Sequence, residues 1–161
     1  MSTEPQALQT FLNAQRKHVL DIVEGLDDEE LRVSVLPSGW SSLGLIRHLT
    51  WDVEQFWFNE VMSGLPRDPA AGDESPWVVP DGRSAESILD DYRTSIVRTD
   101  EYLAATPLDR PPAFWPEELG FQGFADLQDV LLHVMTETAC HAGHLDSARE
   151  LIDGRLWKVA G

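Results

Sequence analysis

The stretch His133-Val-Met-Thr-Glu-Thr-Ala-Cys-His-Ala-Gly-His144 places three of the chain's five histidines and one carboxylate within twelve residues. On a helix at about 100° per residue, His133, Glu137, His141 and His144 fall within roughly 80° of one another. The apolar residues around them are Leu127, Val130, Leu131, Val134, Leu145, Ala148 and Ile152. They form one stripe whose middle is expected to run close to Glu137 and His141, with His133, His144 and Cys140 nearer its edge. An acid and an imidazole turned toward a core need partners, because an unpaired buried charge is costly. A divalent cation would satisfy both.

Glu137 and His141, four residues apart, can grip one ion from one helix. A third ligand must come from another helix, and His48 is the only histidine in the second predicted one. Asp52, one turn beyond, could orient His48 as an acceptor. Two imidazoles and a carboxylate leave positions open for water or substrate, the pattern of catalytic rather than structural zinc. Zinc leads, but nickel, iron and manganese accept the same donors. The competing reading of these residues is a buried polar network that bridges helices.

The spacing is not His-Glu-x-x-His, which disfavours a zincin protease. No Gly-x-Ser-x-Gly elbow or phosphate-cradling glycine loop is present. Cys140 reads as a small core residue before it reads as a nucleophile. His18, at the margin of an earlier apolar stripe, reads as a surface or half-buried histidine.

Four amphipathic segments must position these groups. The first, about 5–26, carries Leu8, Phe11, Leu12, Val19, Ile22, Val23 and Leu26 at helical spacing. Asp27 with Glu30 then spells a capping box. The second runs over about 41–63, with Ser41 or Ser42 as its cap. The third covers about 84–105 behind Ser84. The fourth starts near 124–126 and runs to about 153, where Gly154 fits a C-terminal cap. Two proline-rich links separate them, one holding Trp77 and the other Phe114 and Trp115. No repeat or strand-like alternation interrupts the pattern. The expectation is an all-α fold, an up-down-down-up-like four-helix bundle with long inter-helix loops, in one domain over residues 1–161.

A chain of 161 residues with 42% hydrophobic content can bury a sizeable core. Its net charge of −16 argues against nucleic acid and against an anionic membrane surface. No window reaches the roughly 18 apolar residues of a membrane span. The first residues lack the basic start and apolar run of a signal peptide. The single cysteine excludes an internal disulfide and suits a reducing compartment. The expected location is the cytoplasm.

Two motifs then carry a resemblance. Residues 39–58 read Gly-Trp-Ser-Ser-Leu-Gly-Leu-Ile-Arg-His-Leu-Thr-Trp-Asp-Val-Glu-Gln-Phe-Trp-Phe, and residues 133–154 extend the histidine stretch through Leu-Asp-Ser-Ala-Arg-Glu-Leu-Ile-Asp-Gly. Together the chain resembles the DinB/YfiT-like superfamily of metalloenzymes, in its actinobacterial branch, and is similar to the metal-binding domain of mycothiol-dependent maleylpyruvate isomerase. The resemblance implies a divalent metal held by His48, Glu137 and His141. Many superfamily members have a histidine where Glu137 stands, and this chain matches the isomerase type instead.

The resemblance further implies a metal-dependent thiol S-transferase or isomerase that joins mycothiol, bacillithiol or glutathione to a small electrophile. A low-molecular-weight thiol held as thiolate on the metal supplies the nucleophile, so no catalytic cysteine is needed. His144 and Asp52 are the candidates for a proton shuttle or an orienting partner. The alternatives are a hydrolase using metal-bound hydroxide and a non-catalytic bundle tied by a structural metal or polar cluster. The expected partner is a small-molecule substrate, with no nucleic acid or membrane. The resemblance also implies a homodimer formed by helix packing, which the apolar surplus, including Trp51, Phe58 and Trp157, allows without requiring.

Overall fold

Helix signals in the sequence become helix ends in space. The computed structural model describes residues 3–72, 75–119 and 123–157. Helix α1, Glu4–Val23, has Pro5 in its first turn and gives way to Gly25, whose φ of +85° turns the chain. The Asp27–Glu30 capping box opens a short α2, Asp28–Arg32. The Ser41 side chain accepts from the Gly44 N–H and starts α3, Ser42–His48. Ser84 caps α4, Ala85–Ala105, and Asp126 caps α5, Leu127–Asp153. Gly154, at φ +77°, closes α5 in the left-handed conformation. No strand occurs among the described residues.

The α period does not announce one feature. Helix α3 runs on into a π-helical segment, Leu49–Met62. Its buried residues come in groups that recur every four positions: Leu49, Thr50 and Trp51; Val53, Glu54 and Gln55; Trp57 and Phe58; Val61 and Met62. In an α-helix of about 3.6 residues per turn that pattern would rotate steadily away from the core. Hydrogen bonding from i to i+5 widens each turn and keeps the groups closer to one face.

Side-chain bonds fix the helix directions. Gln128 donates to Glu4 at one end of α1 and α5 (3.2 Å), and Arg149 donates to the Ile22 carbonyl near the other (2.9 Å), so these helices are parallel. Gln9 bonds Asp100, while Leu20 and Asp21 share a cleft with Glu86 and Leu89, so α4 runs against α1. Tyr102 reaches the Met62 carbonyl, which sets the end of the π segment beside the end of α4. His48 faces His141 and Trp57 faces His133, so the second long helix opposes α5. The result is the expected up-down-down-up order of four main helices.

The apolar core is crossed by one ionic network. Arg16 donates from Nε and Nη2 to both oxygens of Glu54, at 2.7 and 2.6 Å. Thr99 Oγ1 donates to Glu54 at 2.8 Å, and Arg16 Nη1 reaches Asp100 at 2.9 Å. Arg16 and Glu54 are each only 1% exposed. Burial by itself disfavours the guanidinium charge, but Glu54 outweighs it and holds the Arg16 pKa above its ordinary value. Beside this network the fully buried Tyr92 hydroxyl has no hydrogen-bond partner among the described residues. Burial and the Glu54 charge push its pKa up.

The apolar residues offered for a dimer surface lie elsewhere than expected. Trp51 and Phe58 are buried within the bundle, and the Trp157 ring lies flat on His18 at 3.9 Å. The exposed large apolar residues include Phe11, Val97, Leu132 and Leu151. Among the described residues, no helix is long and apolar enough to cross a membrane.

Removing one partner of a buried ion pair strands the other. Glu54→Ala is expected to destabilise the protein by about 3–5 kcal/mol in urea denaturation, and Arg16→Met with Glu54→Leu to recover most of that loss. A single variant within about 0.5 kcal/mol of wild type would show that the network carries no such weight.

Candidate metal centre

His48 closes α3, and Glu137 and His141 lie mid-way along α5. Their potential ligand atoms all lie within 4.8 Å of one another. Two further groups turn toward the backs of the imidazoles. The Asp52 carboxylate accepts from His48 Nδ1 at 3.0 Å, and His144 Nδ1 is bonded to His141 Nδ1 at 3.3 Å. Both Nδ1 atoms are thus engaged, which leaves Nε2 of each ring for the shared space. Glu137 Oε2 stands 3.5 Å from His141 Nε2. The His141 side chain is 12% exposed and that of Glu137 39%, so the group opens to solvent on the carboxylate side.

This donor set fits a divalent ion. A four-coordinate ion at about 2.1 Å from each ligand needs donor atoms about 3.4 Å apart, so a modest inward shift of side chains completes the geometry. An imidazole must be neutral to ligate, and here burial lowers the His141 pKa, helped by the charges of His48 and His144 and opposed by Glu137. With Nε2 facing an ion, Nδ1 carries the hydrogen and donates outward, to Asp52 from His48 and to His144 from His141.

The first proline-rich link folds over this group. The Trp77 indole stacks on the His48 ring, with centroids 4.3 Å apart and planes 16° from parallel, and meets the His141 ring edge-on at 5.9 Å. Gly44 permits the approach: a Cβ there would stand 2.5 Å from the Trp77 carbonyl oxygen. One turn on, the buried Arg47 donates to the carbonyls of Ala71, Ser75 and Pro76 at 3.3–3.5 Å. Arg67 faces Asp52 at 3.8 Å. Gly44, Arg47 and His48 share one helix face, so the surface that carries the candidate ligand also carries the loop.

Other histidines take different roles. His133 sits in an aromatic cluster with Trp57 at 4.7 Å and Phe124 at 5.1 Å, outside the donor group. His18 bonds Asp146 at 2.7 Å beneath Trp157. Two expectations need correction. The stripe of α5 is centred on the buried Thr138 and Ala142, one residue beyond Glu137 and His141. The site therefore lies on the flank of the core rather than in it. Cys140 is exposed and is not a core residue, because the same offset turns it outward. Gly44 and Arg47 were not legible as site residues, and Trp77 was open to two readings, an anchor for its loop or the lining of a pocket. Gly44 inside a helical pattern was the available signal, since such a glycine often marks a close backbone approach.

A helical bundle with a three-donor group on its flank, backed by hydrogen-bonded partners and roofed by an aromatic loop, is the architecture of a bundle metalloprotein. The family model described as mycothiol-S-transferase matches residues 7–154, and the chain belongs to that family, a DinB/YfiT-like metal-binding family. Membership implies a metal-dependent mycothiol S-transferase. No curated protein matches the chain.

Burial among the aromatic rings lowers the His133 pKa, with Glu137 opposing. A histidine whose folded pKa lies below its unfolded value of about 6.5 contributes stability that is complete above that value and is lost as pH falls through the folded one. Wild type is therefore expected to lose stability relative to His133→Gln as pH falls from about 6.5, measured by urea midpoints over that range. A constant difference, or one that moves the other way, would contradict the assignment.

Proposed function

We propose that the protein is a metal-dependent mycothiol S-transferase acting on a small electrophile, with His48, Glu137 and His141 as its metal ligands. The observation that carries this reading is the division of labour around the two imidazoles. Asp52 and His144 bond to Nδ1 of the rings rather than joining the donor group. A closed structural site would call for a fourth protein donor; three leave room for a small ligand. The donor set suits zinc and accommodates nickel, iron or manganese.

A divalent metal bound here would supply the charge that keeps a thiol deprotonated near neutral pH. The chain's own residues do the rest. Asp52 holds His48 in the tautomer and orientation that ligation needs, and Arg67 faces the other carboxylate oxygen. His144, exposed, accepts from His141 Nδ1–H and so orients that ring for ligation, and the thiol proton leaves to water on the open Glu137 side. The sulfur electron pair then forms the S–C bond, and the electrophile's leaving group departs with its own pair. No cysteine of the chain takes part, in keeping with Cys140 lying outside the donor group. A single exposed thiol in the chain and a thiol co-substrate both suit a cytoplasmic setting.

Protein purified without an affinity tag is expected to hold near-stoichiometric metal by elemental analysis. His48→Ala, Glu137→Gln and His141→Ala should each lose it, while His18→Ala keeps it. Asp52→Asn should weaken metal affinity about 10–100-fold. Equal metal content in His48→Ala and wild type would remove His48 from the site. Mycothiol consumption with an electrophile should follow metal content across the series; turnover of esters without thiol would instead mark a metal hydrolase.

A further inference from the structure

We propose that Trp77 is the specificity-determining wall of this site and selects flat, electron-poor, conjugated or aryl electrophiles by ring contact. The inference rests on the transferase reading above and concerns the second substrate, which that reading leaves open. Three observations converge on it. The indole touches both imidazoles of the donor group, face-on to His48 and edge-on to His141. The residue remains 36% exposed, which leaves part of it open to a ligand. Its backbone is also fixed, by the close approach at Gly44 and by Arg47 on the carbonyls of Ala71, Ser75 and Pro76.

Trp77 stands partly exposed beside polar donors, on a backbone that is held in place. Here Gly44 and Arg47 spend backbone and side-chain contacts to keep it where it is. The indole ring is electron-rich, and a planar electron-poor ring meets it favourably in an offset-stacked or edge-on arrangement. Such a ring would be oriented beside the donor group before any bond changes. That is positioning, and it selects for shape and electronics rather than for charge. An open-chain electrophile gains little from the same wall. With an aryl chloride the reaction balances simply: the thiol loses its proton, sulfur bonds to the ring carbon, and the C–Cl bond breaks with its electron pair to release chloride.

The test uses metal-loaded protein with mycothiol and two kinds of probe. The first is dinitroaniline, a planar ring with no leaving group, whose binding is followed by NMR titration and by a charge-transfer absorption band with indole. Trp77→Ala should weaken its binding about 3- to 10-fold and abolish the band. Trp77→Phe, which keeps a ring, should retain most of the affinity and guards against a simple loss of folding. Unchanged affinity in Trp77→Ala, or no binding to wild type, overturns the proposal.

The second probe is turnover with chlorodinitrobenzene against iodoacetamide. The ratio of their kcat/KM values should fall about 3- to 10-fold in Trp77→Ala. An unchanged ratio overturns the wall and leaves the transferase reading standing. Dinitroaniline binding that depends on Trp77, without thiol transfer to either electrophile, overturns the transferase reading and leaves the wall standing. Metal content measured in each variant shows whether any change comes from a lost ion; equal losses of metal and of both turnovers would reduce Trp77 to a support for His48 and also overturn the proposal.

Discussion

Glu54 is where the bundle is locked in register. One carboxylate, on the second long helix, accepts from Arg16 of α1 and from Thr99 of α4. Apolar packing is tolerant of small rotations and slides, because hydrophobic contact is non-directional. A two-pronged guanidinium–carboxylate pair is not. Once Arg16 meets both oxygens, the rotation of the second long helix is set. His48, six residues earlier, then faces α5 instead of solvent. A buried ion pair is weak grounds for stability but a good means of fixing geometry. In this protein it fixes the helix that brings His48 to the candidate metal site.

The π-helical segment follows from the same constraint. Glu54 must reach α1 and α4 while Val53 and Trp57 pack inward and Asp52 stays beside His48. An ordinary α-helix rotates residues four apart by about 40° per step, and over the length of Leu49–Met62 some of these demands would conflict. Widening the turn reconciles them. The segment starts where His48 ends α3, so the change in helix geometry coincides with the candidate ligand. Such widened turns are frequent at functional sites for this kind of reason.

Around the donor group the chain sets three layers: ligand atoms, hydrogen-bonded partners and a roof. Asp52 and His144 bond to the Nδ1 atoms of the two rings, burial lowers the His141 pKa, and the loop supplies an aromatic surface. The acidic character of the molecule, at −16, bears on none of these directly, because the local field is set by groups within a few ångströms. Solvent reaches the group on the Glu137 side, so a substrate can approach without the bundle opening.

Much of this was readable from residue order. Helix number and ends followed from local rules, since a Ser or Asp cap, a capping box and a terminal glycine act within one turn of chain. The candidate donor group was legible too: Glu137 and His141 sit four apart, and His48 was the only histidine of the second helix. Bringing the three together depended on tertiary structure. The α5 stripe proved to centre on Thr138 and Ala142, because its true middle depends on what packs against it, and this moved Cys140 outward. The Arg16–Glu54 pair, the π-helical segment and the seating of Trp77 against Gly44 were invisible in advance. Each joins residues far apart in the chain or answers several packing demands at once, and a local pattern carries no record of either.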